Sequence, residues 1–269
     1  MYTLIESLED LAFLNKELLR KPFLAIDTEF RRTNKDNMKL ALLQVNDAEE
    51  TYLIDTLGVG NPGVHASFLF SNSVVKIFHS CKEDLEAIYS WTKSEMINIF
   101  DTQLANSFLS NNYSISYQGI VEQELGIILE KKETRSNWMR RPLTEAQLKY
   151  AALDVEYLIY LYQNQMKLLC KSNKLDWLNE DIQRLIKLTF NPQHYFLDPN
   201  PTLSRSEENT LLKKFNEIFI DISKKEQINQ TLFFSKKVQK DLIRHALIEG
   251  TDVALDQVTK WRANLIKGH

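Results

Sequence analysis

Cysteine, glycine and proline are all scarce in this chain. Its 269 residues include only 2 Cys, 7 Gly and 6 Pro. Two cysteines cannot form the disulfide framework of a small secreted protein or a four-cysteine zinc site. So few glycines and prolines exclude a collagen-like or low-complexity chain. We therefore expect Cys81 and Cys170 to be reduced thiols.

A strong excess of charge of one sign is absent, and so is a long apolar run. The 33 Lys+Arg residues are balanced by 36 Asp+Glu, for a formal net charge of -3. This balance disfavours a protein that coats nucleic acid without specificity, although it permits a local basic groove. No apolar run approaches the roughly 18 residues that span a bilayer, and the first residues lack the basic segment of a signal peptide. The sequence thus predicts a cytoplasmic protein without a membrane partner.

The motifs of nucleotide cofactors and covalent nucleophiles are missing as well. The chain has no GxGxxG and no GxxxxGK[ST], so no nucleotide cofactor is predicted, and no Ser or Cys nucleophile motif occurs. Its 5 histidines show no paired ligand spacing, which argues against a zinc site. The remaining candidates for chemistry are the carboxylates.

An alternation of strand-like and helix-like patterns makes up most of the chain. Strands are predicted by apolar runs at residues 23–26, 40–45, 51–54, 74–78 and 97–100. Capping patterns at Ser7, Ser80 and Thr144 predict helix starts, and the last opens one long helix to Leu169. Early strands followed by strand–helix alternation predict an α/β fold with a mixed sheet flanked by helices.

A proline-rich stretch at residues 191–201 divides the chain. Residues 199–269 show helical patterns only and carry 12 Lys+Arg against 9 Asp+Glu, whereas residues 1–198 carry 21 against 27. We therefore predict an acidic α/β domain at 1–198 and a small, mildly basic all-α domain at 199–269.

Acids separated by one residue are common, so position and not number decides which pairs matter. The chain holds five such pairs among its 36 acids, about the number that chance produces. Asp27 and Glu29 stand directly after an apolar strand, where alternation places both carboxylates on one side and Thr28 opposite. Two adjacent carboxylates repel each other, and a divalent cation with oxygen ligands relieves that repulsion. A solvated strand end with unrelated acids is the alternative.

Two further acids lie on helices predicted nearby. Asp84 falls in the first turn after the fourth strand, where a favourable interaction with the helix dipole is the simpler explanation. Asp154 shares a helix face with Tyr150, and burying it would require a metal or a hydrogen-bond partner, with solvent exposure as the alternative. For Asp101 we favour an N-cap. Four acids on adjacent elements meet the requirement of a two-metal site for phosphodiester hydrolysis.

Three short motifs occur in an order that is known from a family of nucleases. They read DTEF at residues 27–30, HSCKEDLE at 79–86 and YAALDV at 150–155. In this order they resemble the DEDD superfamily of 3′–5′ exonucleases, and a Tyr four residues before the last Asp marks its tyrosine subclass. With the connecting segments FDTQ, SNW and RPLT, about residues 20–170 are similar to ribonuclease D.

The resemblance implies a ribonuclease H-like mixed sheet and a role for each motif residue. Asp27, Glu29 and Asp154 would hold one divalent ion, Mg²⁺ or Mn²⁺, and Asp27 would bridge to a second ion supported by Asp84. Tyr150 would orient the attacking water or help to deprotonate it. The implied reaction releases nucleoside 5′-monophosphates from the 3′-hydroxyl end of RNA, such as a tRNA precursor.

Contacts with RNA are predicted only coarsely. Arg31 and Arg32 follow the first motif, and Arg140 and Arg141 precede the third, so each is a candidate for a phosphate contact. Trp138 is a candidate for stacking on a base. Solvated charges and a tryptophan packed in the core are the alternatives.

The helical tail resembles a helicase-and-RNase-D-C-terminal (HRDC) domain. The similarity lies in residues 211–235 and in the pair Trp261 and Arg262, and the length of residues 199–269 suits a single such domain.

Two alternatives to an exoribonuclease remain open. Werner-type exonucleases share the tyrosine subclass and act on DNA, although the connecting segments of this chain favour RNA. A catalytically inactive RNA-binding relative would be expected to have lost acids, whereas this chain keeps all four together with the Tyr.

Overall fold

The computed structural model describes residues 2–34, 37–110, 112–129, 136–191 and 203–268. The chain divides into two compact units, the first made of Met1–Gln103 with Ile115–Lys167 and the second of Leu104–Ser114 with Leu168–His269. The boundary predicted between residues 198 and 199 lies outside the described residues, as do residues 192–201 of the predicted linker. The division at that point stays a prediction.

The first unit is built on a mixed sheet, which has six strands within the described residues. In chain order these are β1 (Tyr2–Ile5), β2 (Phe23–Asn34), β3 (Asn37–Asn46), β4 (Thr51–Asp55), β5 (Val75–Phe78) and β6 (Ile99–Asp101). Their spatial order is β1-β4-β3-β2-β5-β6. The pairs β2–β3 and β3–β4 are antiparallel and the other neighbours are parallel. The predicted α/β class with a mixed sheet is confirmed.

Helices surround the sheet and make up the second unit. Within the described residues they are α1 (Leu8–Leu18), α2 (Thr56–Val59), α3 (Lys82–Thr92), α4 (Thr102–Leu109), α5 (Tyr117–Leu125), α6 (Glu145–Glu156), α7 (Leu158–Lys171), α8 (Leu175–Phe190), α9 (Arg205–Lys225), α10 (Gln230–Phe233), α11 (Lys236–Glu249), α12 (Thr251–Leu255) and α13 (Lys260–Lys267). None of these helices has the length and hydropathy that crossing a bilayer requires.

The predicted apolar runs form the buried centre of the sheet. Leu24, Ile26, Leu43, Val45 and Leu53 are all fully buried, and each such side chain contributes about 1.5–3 kcal/mol to folding. The strand β1 was not predicted, because its four residues are too few to show a period; it forms by parallel pairing with β4. The sheet therefore has one more edge strand than the sequence indicates.

Two of the three predicted helix caps are confirmed. The Ser7 side chain accepts a hydrogen bond from the backbone N–H of Asp10, and Thr144 forms a reciprocal capping box with Gln147. A helix does start where the third pattern predicts, at Lys82, but Ser80 is not its cap, because Ser80 adopts a left-handed conformation with φ of 68° and α3 begins without a side-chain cap.

The long helix predicted from Thr144 is in fact two helices. The backbone N–H of Tyr157 donates to the hydroxyl of Tyr117, at 3.1 Å, and that hydroxyl donates to the carbonyl of Leu153, at 3.0 Å. The hydroxyl thus stands between the two groups that would otherwise form the next bond of the helix, which is a recognised cause of a helix break. As a result α6 ends at Glu156.

An ion pair holds three helices of the second unit together. Asp181 on α8 binds the guanidinium of Arg262 with both carboxylate oxygens and accepts a hydrogen bond from the indole of Trp261. Arg262, on α13, also donates to the carbonyls of Leu232 and Phe233 in α10. No strand is found among the described residues of the second unit, which confirms a helical tail, while its likeness to an HRDC domain stays a prediction.

Removal of Asp181 should destabilise the second unit. In the Asp181→Ala variant the guanidinium of Arg262, whose side chain is only 12% exposed, loses its counter-ion, so we expect the free energy of unfolding to fall by about 3 kcal/mol. Urea unfolding followed by tryptophan fluorescence measures the change. Asp176→Ala, which removes an exposed acid of the same helix, is the control and should stay within about 1 kcal/mol of wild type. Equal stability of the two variants would contradict the assigned role.

Candidate metal centre

Asp27 and Glu29 lie where β2 extends beyond its neighbour β5. The pairing of β2 with β5 ends at Ala25, whereas the pairing with β3 continues past Asp27 and Glu29. Both carboxylates point to the same side of the strand, as alternation predicts. One oxygen of each lies within 4.8 Å of the other and of an oxygen of Asp154.

Asp154 reaches this strand from α6, which packs on β2, β3 and β4. Tyr150 precedes it by one turn, and the Tyr150 hydroxyl is close enough to the Asp154 carboxylate to act on the pKa of that acid, which burial raises, as a hydrogen-bond donor that lowers it. The ring of Tyr150 lies 6.1 Å from that of Trp138, measured between centroids. The structure therefore places Tyr150 and Asp154 on one helix face, and that face is turned to the sheet and not to solvent.

Asp84 lies near the three acids, but it is not part of the group whose ligand oxygens all lie within 4.8 Å of one another. It stands in the first turn of α3, is buried, and accepts a hydrogen bond from the Thr28 hydroxyl at 2.5 Å. The negative charge of Asp27 contributes to the raised pKa of Asp84, so the two carboxylates interact. A favourable interaction with the helix dipole alone does not account for Asp84, because this acid is buried and lies near another carboxylate.

Burial and mutual repulsion make these four carboxylates difficult to ionise. Burial followed by the charges of the neighbouring acids raises the pKa of Glu29 to about 10, and burial raises that of Asp154 to about 7. The pKa values of Asp27 and Asp84 are also raised well above the usual range, chiefly by burial. Among the described residues, every charged group that shifts the pKa of Asp27, Glu29 or Asp84 is another carboxylate.

A divalent cation fits this donor set. Its oxygens are hard ligands of the kind that Mg²⁺ and Mn²⁺ prefer, and a cation would supply the positive charge that the neighbouring side chains do not. The three acids Asp27, Glu29 and Asp154 present ligand atoms at a mutual spacing that one ion can bridge.

The hydroxyl of Tyr150 stays protonated in this environment. Burial, then the charges of Asp154 and Glu29, raises the pKa of Tyr150 above its usual value. In the metal-free protein the hydroxyl is therefore a hydrogen-bond donor to Asp154.

Asp101 has a larger role than the N-cap that was predicted for it. Its carboxylate accepts hydrogen bonds from the backbone N–H groups of Gln103, as an N-cap does, and also of Ser80 and Cys81, at 2.8–3.1 Å. These bonds hold the loop that leads into α3, and with it the turn that carries Asp84. The segment FDTQ, which contains Asp101, was the only signal of this role in the sequence.

The structure does not support RNA contacts by Arg141. All five N–H donors that a guanidinium offers are used inside the protein, by both oxygens of Asp55 and by the carbonyls of Trp138, Arg140 and Ala41. The carbonyl of Ala41 belongs to a bulge of β3, where the register with β2 shifts. The guanidinium thus satisfies a carbonyl at an irregular point of the sheet and fixes the loop before α6.

Trp138, the candidate for stacking on a base, is not available at the surface. Trp138 is only 5% exposed and packs in the core with Ala41, Leu42, Leu53 and Ala151, so the core alternative describes it.

The three other arginines were candidates for phosphate contacts. Arg32 pairs with Glu86 and lies 3.6 Å from Glu83, which occupies it within the protein. Arg31 and Arg140 are exposed and stay candidates.

Comparison with known proteins identifies relatives for the first unit. A family model described as 3′–5′ exonuclease matches residues 2–169. A ribonuclease D of Pseudomonas paraeruginosa is 41% identical over 171 residues, which is 64% of this chain and 45% of that protein. A ribonuclease D of Shewanella sp. is 39% identical over 166 residues, 62% of this chain and 43% of that protein. The chain spans about half the length of these curated relatives.

Solved structures with a similar fold are more distant in sequence. The Escherichia coli RNase D, described as an exoribonuclease involved in structured RNA processing, matches with a TM-score of 0.69 at 23% identity, over 100% of this chain and 75% of that one. The catalytic core of RRP6 from Trypanosoma brucei matches with a TM-score of 0.63 at 20% identity, over 99% and 77% of the two chains. At these identities the likeness concerns the fold alone.

Substitution of Asp154 should stabilise the metal-free protein at alkaline pH. The folded-state pKa of about 7 lies above the unfolded value of about 3.9, so stability falls as the pH rises from about 4 through 7. Asp154→Asn removes the charge but keeps an oxygen that accepts from Tyr150. In chelator at pH 8 we expect its melting temperature to exceed that of wild type by about 2–4 °C for each kcal/mol recovered. At pH 4 the two melting temperatures should be equal. A loss of the same size at both pH values would contradict the electrostatic account.

Arg140 and Arg141 are neighbours in the chain, and only Arg141 is bonded within the protein, so they form a matched pair for testing its effect on stability. Arg141→Ala leaves the buried Asp55 carboxylate without its counter-ion and should lower the free energy of unfolding by about 3 kcal/mol. Arg140→Ala should leave stability within about 0.5 kcal/mol of wild type, because the side chain is exposed. Chemical denaturation of both variants measures the difference, and an unchanged stability of Arg141→Ala would refute the structural role.

Proposed function

The chain belongs to the 3′–5′ exonuclease family, and on that premise we propose that it is a metal-dependent exoribonuclease which shortens RNA from its 3′-hydroxyl end. The observation that carries the proposal is the close group of Asp27, Glu29 and Asp154, with the buried Asp84 beside it. Carboxylates held this close together without a basic neighbour are poorly suited to a structural role and well suited to holding cations.

The four acids would hold two divalent ions, Mg²⁺ or Mn²⁺. Asp27, Glu29 and Asp154 would hold one ion, and Asp27 and Asp84 would support the other. When bound, such a pair of ions lowers the pKa of the attacking water and stabilises the leaving oxygen of the phosphodiester. Ionisation of the acids and cation binding are linked, because each carboxylate must lose its proton to act as a ligand.

Tyr150 would orient the attacking water or help to deprotonate it. Its raised pKa keeps the hydroxyl protonated at neutral pH, so it can donate one hydrogen bond and accept another. Held one turn from Asp154, it can direct a lone pair of the water toward the phosphorus while Asp154 stays ionised. The position of this hydroxyl depends on α6, which Trp138 and Leu42 support from the sheet side.

Several features favour RNA as the substrate. The curated relatives at 39–41% identity are named ribonuclease D, and a similarly folded NrnC from Brucella melitensis, at 20% identity and a TM-score of 0.61 over 76% of this chain and 100% of that one, was solved bound to pGG. Structured RNA with a free 3′ end, such as a tRNA precursor, is the substrate that we infer. Arg31 and Arg140, both exposed, are the candidates for phosphate contacts.

A labelled oligonucleotide tests the proposal directly. We expect 5′-labelled RNA to be shortened stepwise with Mg²⁺ or Mn²⁺, to resist when its 3′ end carries a phosphate, and to be degraded faster than DNA of the same sequence. Asp27→Ala should lower the rate by more than about 100-fold. Loss of a side chain that only orients a metal ligand costs about 10–100-fold, and Asp27 would itself be a ligand. Glu49→Ala, in another pair of acids separated by one residue, is the control and should keep the wild-type rate, since its side chain is 80% exposed.

Each other outcome of this assay has a defined meaning. Equal or faster shortening of DNA would replace RNA by DNA as the substrate. If wild type and Asp27→Ala behaved alike, the proposed active site would be wrong. No shortening at all, together with no rise in melting temperature in millimolar Mn²⁺, would favour an inactive RNA-binding relative.

A further inference from the structure

A buried glutamine lies beside the candidate metal centre without a partner of its own. Gln44 on β3 is 0% exposed, and among the described residues neither its amide nitrogen nor its amide oxygen has a hydrogen-bond partner. A buried amide with no partner lowers the stability of a protein. Such a group requires an explanation in the function or the strain of the site.

The register of the sheet places Gln44 next to Asp27. Its cross-strand neighbours are Leu53 on β4 and Asp27 on β2, and only the second of these is polar. Cβ atoms of directly opposed residues in antiparallel strands lie about 4.5–5.5 Å apart. An aspartate carboxylate is therefore within the reach of the glutamine amide.

The packing of β3 puts Gln44 on the same face of the sheet as α6. Leu42, two residues earlier on the same strand, packs with Ala151 and Tyr150 of that helix. Since residues two apart on a strand line one face, Gln44 points toward the layer that also contains Asp154.

We propose that Gln44 is a positioning residue of the metal centre, whose amide N–H orients the carboxylate of Asp27 toward a bound divalent cation. This inference rests on the proposed function, because it assigns Gln44 a role only in a site that binds metal. An amide donor to one carboxylate oxygen favours the ionised form of the acid and leaves the other oxygen for the cation. Partners that orient metal ligands in this way are part of most metal sites.

The proposal also explains why an unsatisfied amide is retained in the core. Leucine has nearly the volume of glutamine and would suit the apolar layer of Leu42 and Leu53, so stability alone favours it. In the proposed role the protein keeps a side chain that lowers its own stability, because the metal-bound state uses the amide N–H of Gln44 as a donor.

Titration with Mn²⁺ alone, without RNA, tests the inference by calorimetry. We expect Gln44→Leu to have a higher melting temperature than wild type in chelator, because a buried unsatisfied amide is removed, and to bind Mn²⁺ about 10–100-fold more weakly. A merely structural glutamine would change the melting temperature and leave the affinity unchanged. Gln44→Met, unbranched and of similar length, is the second variant if Gln44→Leu does not fold.

Gln165 supplies the matched control. It is also fully buried and belongs to the same unit, its amide nitrogen donates to the carbonyl of Thr102, and its amide oxygen has no partner. Gln165→Leu should alter stability while keeping the wild-type affinity for Mn²⁺.

The titration separates the two levels of the argument. If wild type does not bind Mn²⁺, the proposed function itself fails. If wild type binds Mn²⁺ and the Gln44 variants bind it equally well, the inference about Gln44 is overturned and the proposed function stands.

Discussion

Charge repulsion among closely spaced carboxylates is the constraint on which the rest of this structure depends. Asp27, Glu29 and Asp154 are held with oxygens within 4.8 Å of one another, and Asp84 is close enough for its pKa to respond to Asp27. Isolated in water such a group would separate, since each ionised acid disfavours the ionisation of the next. The fold must therefore supply enough packing energy to keep the acids together when no cation is bound. It does so with a sheet whose central strands are fully buried around Leu24, Ile26 and Leu43.

Two polar anchors transmit the rigidity of that core to the elements that carry the acids. Asp101 accepts three backbone N–H groups and holds the loop before α3, and Arg141 uses its whole guanidinium to fix the loop before α6. Although burial opposes ionisation, the guanidinium keeps the pKa of Asp55 below its usual value, so this pair remains charged at neutral pH. Both anchors are polar side chains near the motifs that carry the acids, yet their bonds lie within the protein. Proximity to a motif is thus a poor guide to whether a charged residue contacts substrate.

The break between α6 and α7 has a similar origin. The apolar pattern continues without interruption across Tyr157, so periodicity alone indicates one helix. The hydroxyl that ends α6 comes from Tyr117, 36–40 residues away in the chain. It also ends the helix shortly after Asp154, so the segment that bears the third motif is a short helix seated on the sheet and not the middle of a long one.

Local sequence by itself determined the strands β2 to β6, the caps at Ser7 and Thr144 and the side of β2 on which Asp27 and Glu29 lie, because these follow from alternation and from contacts within three residues. The order of the three motifs likewise pointed to the family. Only the tertiary structure decided that Trp138 is core, that Arg141 is internally bonded, that Ser80 is no cap, and that Gln44 lies opposite Asp27 in the sheet. Each of these depends on neighbours far apart in sequence, such as Arg141 and Asp55, which are 86 residues apart, and no local pattern encodes such a distance. The same charged or aromatic residue is solvated, packed or catalytic according to what the fold places beside it.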